Sequence, residues 1–262
     1  MFVKLDVETN RIKGLCFHPQ RSWLLASFFA GEIVIYDYEA GVTLQRYTDH
    51  TQPVRSVDFH PTQPLFCSGS DDCTVRVFNY EKQRCLVIFK DHIDFVRTVQ
   101  FHPVHPFIVS SSDDMTIRIW NWETRAPVTT IPGHNHYVMS AFFHPTMPWI
   151  ISASLDDSVR VWDVSALFND SQPSGIFSLT DVVIKFQQEE HAAGVNWASW
   201  HPTRQLAVSC SDDQTVKIWK ITETDMSVIA TLRSHTGNVS SAIYHPNLDV
   251  IISASEDHSV RI

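Results

Sequence analysis

The chain has 262 residues, 44% hydrophobic, 11% aromatic and 19% charged, with a formal net charge of −9; this is enough apolar material for the core of one large domain and excludes a disordered chain. The acidic balance and the lack of any basic run argue against sequence-independent nucleic-acid binding. Five cysteines, odd in number and without a CxxC pair, no 18-residue apolar run and no signal-peptide core after Met1 predict a soluble, cytosolic protein with free thiols.

Residues 2–6 alternate weakly and read as one strand. Between 11 and about 47 come three runs, Leu15-Cys16-Phe17, Trp23-Leu24-Leu25-Ala26-Ser27 and Ile33-Val34-Ile35-Tyr36-Asp37. Each is β-branched or aromatic and bounded by Pro or Gly, which predicts strands and turns. The arrangement returns at about 52–89, 94–131, 136–163 and 193–232, and a sixth copy starts near Gly237. An aromatic residue followed by His-Pro punctuates every copy, at His18, His60, His102, His144, His201 and His245, with intervals of 42, 42, 42, 57 and 44 residues. That period predicts an all-β WD-repeat propeller, a single domain over 1–262 in which each repeat is a four-stranded blade. The long interval carries an insertion at 165–188, with 169–175 reading as a surface loop and 182–186 as a strand. Ser259-Val260-Arg261-Ile262 stops one residue before the Trp-Asp due there, which predicts a fragment incomplete at its C-terminus.

Polar residues repeat as well. Asp72, Asp114, Asp156, Asp213 and Asp257 each stand two residues before a Thr or Ser, and His50, His92, His134, His191 and His235 precede the copies. In a blade such an Asp closes the turn between the second and third strands and accepts from the His ring. Ser68, Ser110, Ser152, Ser209 and Ser253 are expected to extend the network to a Trp N–H, since buried polar groups must be paired. This absorbs most of the fourteen histidines. His105, His136 and His258 remain, scattered over three copies, and describe neither a metal site nor a general base. There is no Gly-rich phosphate loop and no G-x-S-x-G elbow. No enzyme activity, metal or cofactor is expected.

The network orients the blades, because its Asp turns and His loops must meet at one end. Three positions per blade face that end without structural duty. The first reads Arg11, Pro53, Phe95, Tyr137, Gly194, Asn238; the second Lys13, Arg55, Arg97, Met139, Asn196, Ser240; the third Phe29, Asp71, Asp113, Leu155, Asp212, Glu256. In the first copy Ala30 replaces the structural Asp. Cations Arg11, Lys13, Arg55 and Arg97 thus cluster with Asp71 and Asp113, and Phe95 and Tyr137 rise between them. Arg and Lys suit a carboxylate, and acids beside aromatic rings suit ammonium groups. A peptide C-terminus with lysines close behind it fits both. An unused charged rim, with pairs worth under about 1 kcal/mol each and some of them, such as Arg97 with Asp113, structural, is the competing reading.

The segments Arg11-Ile-Lys-Gly-Leu-Cys-Phe-His-Pro19, Pro53-Val-Arg55, Gln63-Pro-Leu-Phe66, Gly133-His-Asn-His-Tyr-Val-Met139, Ser154-Leu-Asp156, Asp181-Val-Val-Ile-Lys-Phe186 and Gly194-Val-Asn-Trp197 resemble the N-terminal WD-repeat propeller of coatomer alpha subunits. The resemblance implies a seven-bladed family fold and a cargo-recognition module of the COPI vesicle coat. Such a module binds C-terminal dilysine (KKxx or KxKxx) signals of membrane proteins for retrograde Golgi-to-ER transport. It implies that Arg11 and Lys13, aided by Arg55, hold the carboxylate, and that Asp71, Asp113 and Asp94 take the lysine ammoniums. Phe29, Phe95 and Tyr137 would pack on the peptide, with Phe29 where the family usually has His and Phe95 where it has Tyr. Implied partners are cargo tails and, through a full-length chain, the beta-prime and epsilon coatomer subunits, on the cytosolic face of Golgi membranes and COPI vesicles. The beta-prime subunit itself, with the same ligand, and a purely structural interaction propeller are the alternatives.

Overall fold

The computed structural model describes residues 11–168 and 182–262. The strand expected at 2–6 and the loop expected at 169–175 lie outside the described residues. The rest is six antiparallel sheets, each hydrogen-bonded in chain order. Blade one is β1 (Ile12–Phe17), β2 (Trp23–Phe28), β3 (Ile33–Asp37) and β4 (Val42–Tyr47). Blade two is β5 (Val54–Phe59), β6 (Leu65–Ser70), β7 (Val75–Asn79) and β8 (Arg84–Phe89). Blade three is β9 (Val96–Phe101), β10 (Phe107–Ser112), β11 (Ile117–Asn121) and β12 (Ala126–Ile131). Blade four is β13 (Val138–Phe143), β14 (Trp149–Ser154), β15 (Val159–Asp163) and β16 (Val183–Gln188). Blade five is β17 (Val195–Trp200), β18 (Leu206–Ser211), β19 (Val216–Ile221) and β20 (Met226–Leu232). Blade six is β21 (Val239–Tyr244), β22 (Ile251–Ser255) and β23 (Val260–Arg261). The fold class is therefore the all-β WD-repeat propeller class.

One boundary differs from the sequence reading. β16 pairs along β15, with Val161 opposite Phe186. It is the outer strand of blade four, so the extra chain enters between two strands of one blade and not between blades four and five. Ser165–Phe168 forms a short 3₁₀ turn after β15.

The blades fall into two compact units, one on blades one to three and one on blades four to six, apart from a few residues of the outer strands of blade three. Each unit is held by apolar side chains buried between successive sheets. In the first, Leu25, Ile35, Val57 and Phe66 form one cluster, and Val77, Val99, Ile108 and Trp120 another. In the second, Ile151, Val161, Ala198 and Trp219 cluster, as do Val208, Val216 and Ala242. Second strands such as β6, β10 and β14 are buried along their whole length, so they read as continuous apolar or small-residue runs.

Each blade from two to six carries a His–Asp pair. In blade four Trp162 Nε1 donates to Ser152 Oγ at 2.8 Å, and Ser152 Oγ lies 2.7 Å from His134 Nε2. His134 Nδ1 lies 2.8 Å from Asp156 Oδ2. An indole only donates, so the serine hydroxyl must donate onward to Nε2 and the ring must donate through Nδ1 to the carboxylate. The imidazole is neutral in this chain of bonds. His50, His92, His191 and His235 repeat both contacts at 2.6–2.8 Å. Burial alone would raise the Asp213 carboxyl, but bonds from Thr215 and His191 outweigh it and bring it down to about 2. The residue after each of these aspartates has positive φ, at Cys73, Met115, Asp157, Gln214 and His258; blade one puts Gly31 there, at φ 88, which relieves the Cβ clash of that conformation.

The His-Pro turns use the opposite tautomer. In each, Nδ1 of the histidine accepts the backbone N–H groups two and three residues on, as in Thr146 and Met147 to His144 at 3.1 and 2.9 Å. The same pair of bonds recurs at His18, His60, His102, His201 and His245. Nδ1 must stay unprotonated to accept them. Burial drives the His144 imidazole down to about 4, and burial with a smaller contribution from His105 does the same at His102.

Candidate functional site

Two regularities build the end of the blades where the network aspartates lie. First, every innermost strand carries one extra residue where its pairing with the second strand shifts register: Lys13, Arg55, Arg97, Met139, Asn196 and Ser240. A bulge frees a residue from the alternation of the strand and re-aims its side chain. Second, the backbone N–H of Phe29, Asp71, Asp113, Leu155, Asp212 and Glu256 donates to the carbonyl of Arg11, Pro53, Phe95, Tyr137, Gly194 and Asn238, at 2.9–3.1 Å. The three positions selected by sequence in each blade therefore come together, including Phe29 of blade one, where no structural Asp marks the register.

In the first unit the bulge cations of blades two and three are neutralised within their own blades. Arg55 forks onto Asp71 through Nε and Nη2, the latter bond measuring 2.7 Å. Arg97 forks onto Asp113 with both bonds at 2.5 Å. Asp71 and Asp113 are buried, so these pairs are better shielded from water than rim pairs. The sequence reading put Arg55 and Asp71 at opposite ends of a ligand; the structure joins them. Each fork uses Nε and Nη2 and, among the described residues, leaves the Nη1 donors of the guanidinium uncommitted.

Lys13 differs. Its bulge position matches that of Arg55, yet the residue sixteen further on is Phe29, which cannot accept. Lys13 has no acidic partner among the described residues. Its ammonium is held below the ordinary lysine range, first by partial burial and then by Arg55 and Arg11, with Asp71 opposing. The Phe29 ring is 52% exposed. The Arg11 guanidinium lies 5.8 Å from its centroid and the Lys13 ammonium 5.5 Å. The guanidinium of Arg55 is 5.7 Å from the ring of Phe95, which is also exposed. Asp94 accepts the N–H of its neighbour Phe95 at 2.8 Å and faces no cation within salt-bridge distance among the described residues. The arrangement offers an under-neutralised cationic spot, a carboxylate, and exposed aromatic rings beside the cations.

Tyr137 stands at the corresponding place on blade four, in the second unit, half-buried with its ring 4.6 Å from that of His136. There Asn196 donates to Asp212 at 2.7 Å, repeating the spacing of the Arg–Asp pairs without charge on the donor. The bulges do not follow from the sequence, and of the intra-blade pairs only Arg97 with Asp113 is anticipated there. The opposite charges sixteen residues apart at Arg55/Asp71 and Arg97/Asp113 are the signal that could have revealed them. Among the described residues no group of three His, Cys, Asp or Glu side chains is placed to hold a metal, and no helix is long and apolar enough to cross a membrane.

A family model described as "WD domain, G-beta repeat" matches residues 41–79, 83–121, 125–163, 183–220 and 226–262. Coatomer subunit alpha-2 of Arabidopsis thaliana is 64% identical over 245 residues, covering 89% of this chain and 20% of that protein. Coatomer subunit alpha-2 of Oryza sativa subsp. japonica is 65% identical over 245 residues with the same shares. Coatomer subunit alpha of Saccharomyces cerevisiae is 52% identical over 56 residues, 21% of this chain and 5% of that protein. The chain spans about a fifth of the length of the long plant relatives it matches.

Proposed function

The chain belongs to the WD domain, G-beta repeat family, and from that premise we propose that it is the cargo-reading part of a coatomer alpha subunit of the COPI coat. Its ligand is a C-terminal dilysine signal, Lys-Lys-x-x or Lys-x-Lys-x-x, on the cytosolic tail of a membrane protein bound for retrograde Golgi-to-ER transport. Similarity to coatomer alpha subunits supports the coat assignment. The observation that carries the ligand is Lys13, a bulge cation with no acid paired to it among the described residues and crowded by Arg11 and Arg55. A terminal carboxylate relieves that crowding, accepting from Lys13, Arg11 and the Nη1 donors of Arg55. Asp94 takes a lysine ammonium, with the remaining lone pairs of Asp71 and Asp113 adding to the negative field, and Phe95 packs on the lysine stem. In a full-length chain the beta-prime and epsilon subunits are the partners, and the site is peripheral on Golgi membranes.

A Lys-Lys-x-x peptide with a free C-terminus is expected to bind with roughly micromolar affinity, from a few charge-assisted bonds of about 1.5–3 kcal/mol each. Calorimetric titration of the free and amidated forms tests this: equal affinities would sink the reading. Asp94→Asn should weaken the free peptide about tenfold while leaving a peptide with both lysines replaced by alanine unaffected. Equal losses for both peptides would remove Asp94 from the lysine site.

A further inference from the structure

Asp71, Asp113 and Asp212 hold one place in their blades, and each accepts from the bulge residue sixteen positions before it, Arg55, Arg97 and Asn196. Blade one fills that place with Phe29, pinned by the same backbone bond, Phe29 N–H to the Arg11 carbonyl at 2.9 Å. The substitution does two things together. It removes the acceptor that would otherwise neutralise the bulge cation, and it puts an exposed aromatic face directly against Lys13 and Arg11.

Resting on the dilysine reading, we propose that Phe29 selects the last residue of the ligand, favouring tails that end in an apolar or aromatic side chain. A carboxylate held by Lys13 and Arg11 brings its own Cα within one side chain's reach of the ring that both cations flank. The last side chain then covers the Phe29 face and removes apolar area from water on both partners. A serine in that place covers less of the ring and gains no such burial. The preference concerns the residue bearing the carboxylate, whereas the lysines are read by the acids further along.

The test is a titration of the full chain with free-acid Lys-Lys-Ala-Xaa tails in which Xaa is Phe, Leu or Ser. The Phe and Leu tails are expected to bind about tenfold more tightly than the Ser tail. Phe29→Ala should shrink that ratio to below about twofold, and Phe29→Leu should retain most of it. Phe29→Asp should supply the missing acceptor, pair with Lys13 as Asp71 pairs with Arg55, and weaken every tail by about tenfold or more. A wild-type ratio near one, or a ratio unchanged in Phe29→Ala, overturns the inference. If the free Ser tail outbinds its amidated form while the ratio is one, only this inference fails. If free and amidated tails bind alike, the dilysine reading fails with it.

Discussion

Lys13→Ala is expected to weaken binding of a free dilysine tail by roughly tenfold to a hundredfold, the loss of one charge-assisted bond to a carboxylate. The variant should melt like the wild type, because Lys13 occupies a bulge and has no acidic partner among the described residues to lose. Lys13→Arg should keep most of the affinity. The effect should be confined to free-acid tails, and raising salt should narrow the gap between variant and wild type, because exposed charges are screened. The same geometry fixes the sign of a spectroscopic check. Arg11 and Arg55 depress the Lys13 ammonium after burial has done so, so a bound carboxylate must raise its titration point, observable by ¹⁵N-detected NMR of the side chain. A Lys13→Ala variant that binds free tails within twofold of wild type would show that the carboxylate sits elsewhere.

Stability should fall between pH 7 and pH 5 through the histidines, opposed by the buried Asp58 carboxyl, which burial pushes up to about 7 and which takes up its proton in the folded chain over the same window. His102 and His144 lie at about 4 in the folded chain, against about 6.5 when unfolded. A depressed imidazole contributes stability that is complete above its unfolded value and is lost as pH falls toward its folded one, because only the unfolded chain takes up the proton in that window. The two histidines together should cost on the order of 3 kcal/mol between pH 7 and pH 5, of which Asp58, with the opposite sign, should offset on the order of 2 kcal/mol. His18, His60 and His201 shift in the same direction, with burial the leading cause. The buried network histidines His50, His134 and His191 do so as well, since burial outweighs their aspartates. The structural cause is visible in the turns: protonating Nδ1 would set an N–H against two backbone N–H groups. Asn121 shows a non-titrating side chain making the same pair of bonds, accepting from Glu123 and Thr124 at 3.0 and 2.9 Å. His144→Asn should therefore keep its turn and flatten the pH dependence, whereas His144→Leu should destabilise at every pH. If the urea midpoints of wild type and His144→Asn shift equally between pH 7 and pH 5, the assignment is refuted.

Much of this molecule was legible before any coordinates. The aromatic-His-Pro step and the Asp–Thr/Ser spacing recur with a period of about 42, so the number of blades and their strands followed from pattern. The His–Asp contacts lie where buried polar groups must find partners. Among the described residues β16 broke the pattern, since strand pairing, and not sequence interval, decides that Val183–Gln188 closes blade four.

The candidate site was legible as a set of residues and not as a circuit. Sequence placed Lys13, Arg55, Asp71, Asp94, Asp113, Phe29 and Phe95 at one end of the blades, because register is an intrinsic property of strand alternation and turn spacing. Beyond the pair Arg97 and Asp113, it could not say which charges cancel. That depends on a one-residue bulge in each inner strand, which leaves no mark in composition, and on the backbone bond that brings residues 18 apart into contact. Through those two features tertiary structure gave Arg55 and Arg97 their carboxylates and gave Lys13 a phenyl ring and, among the described residues, no acid.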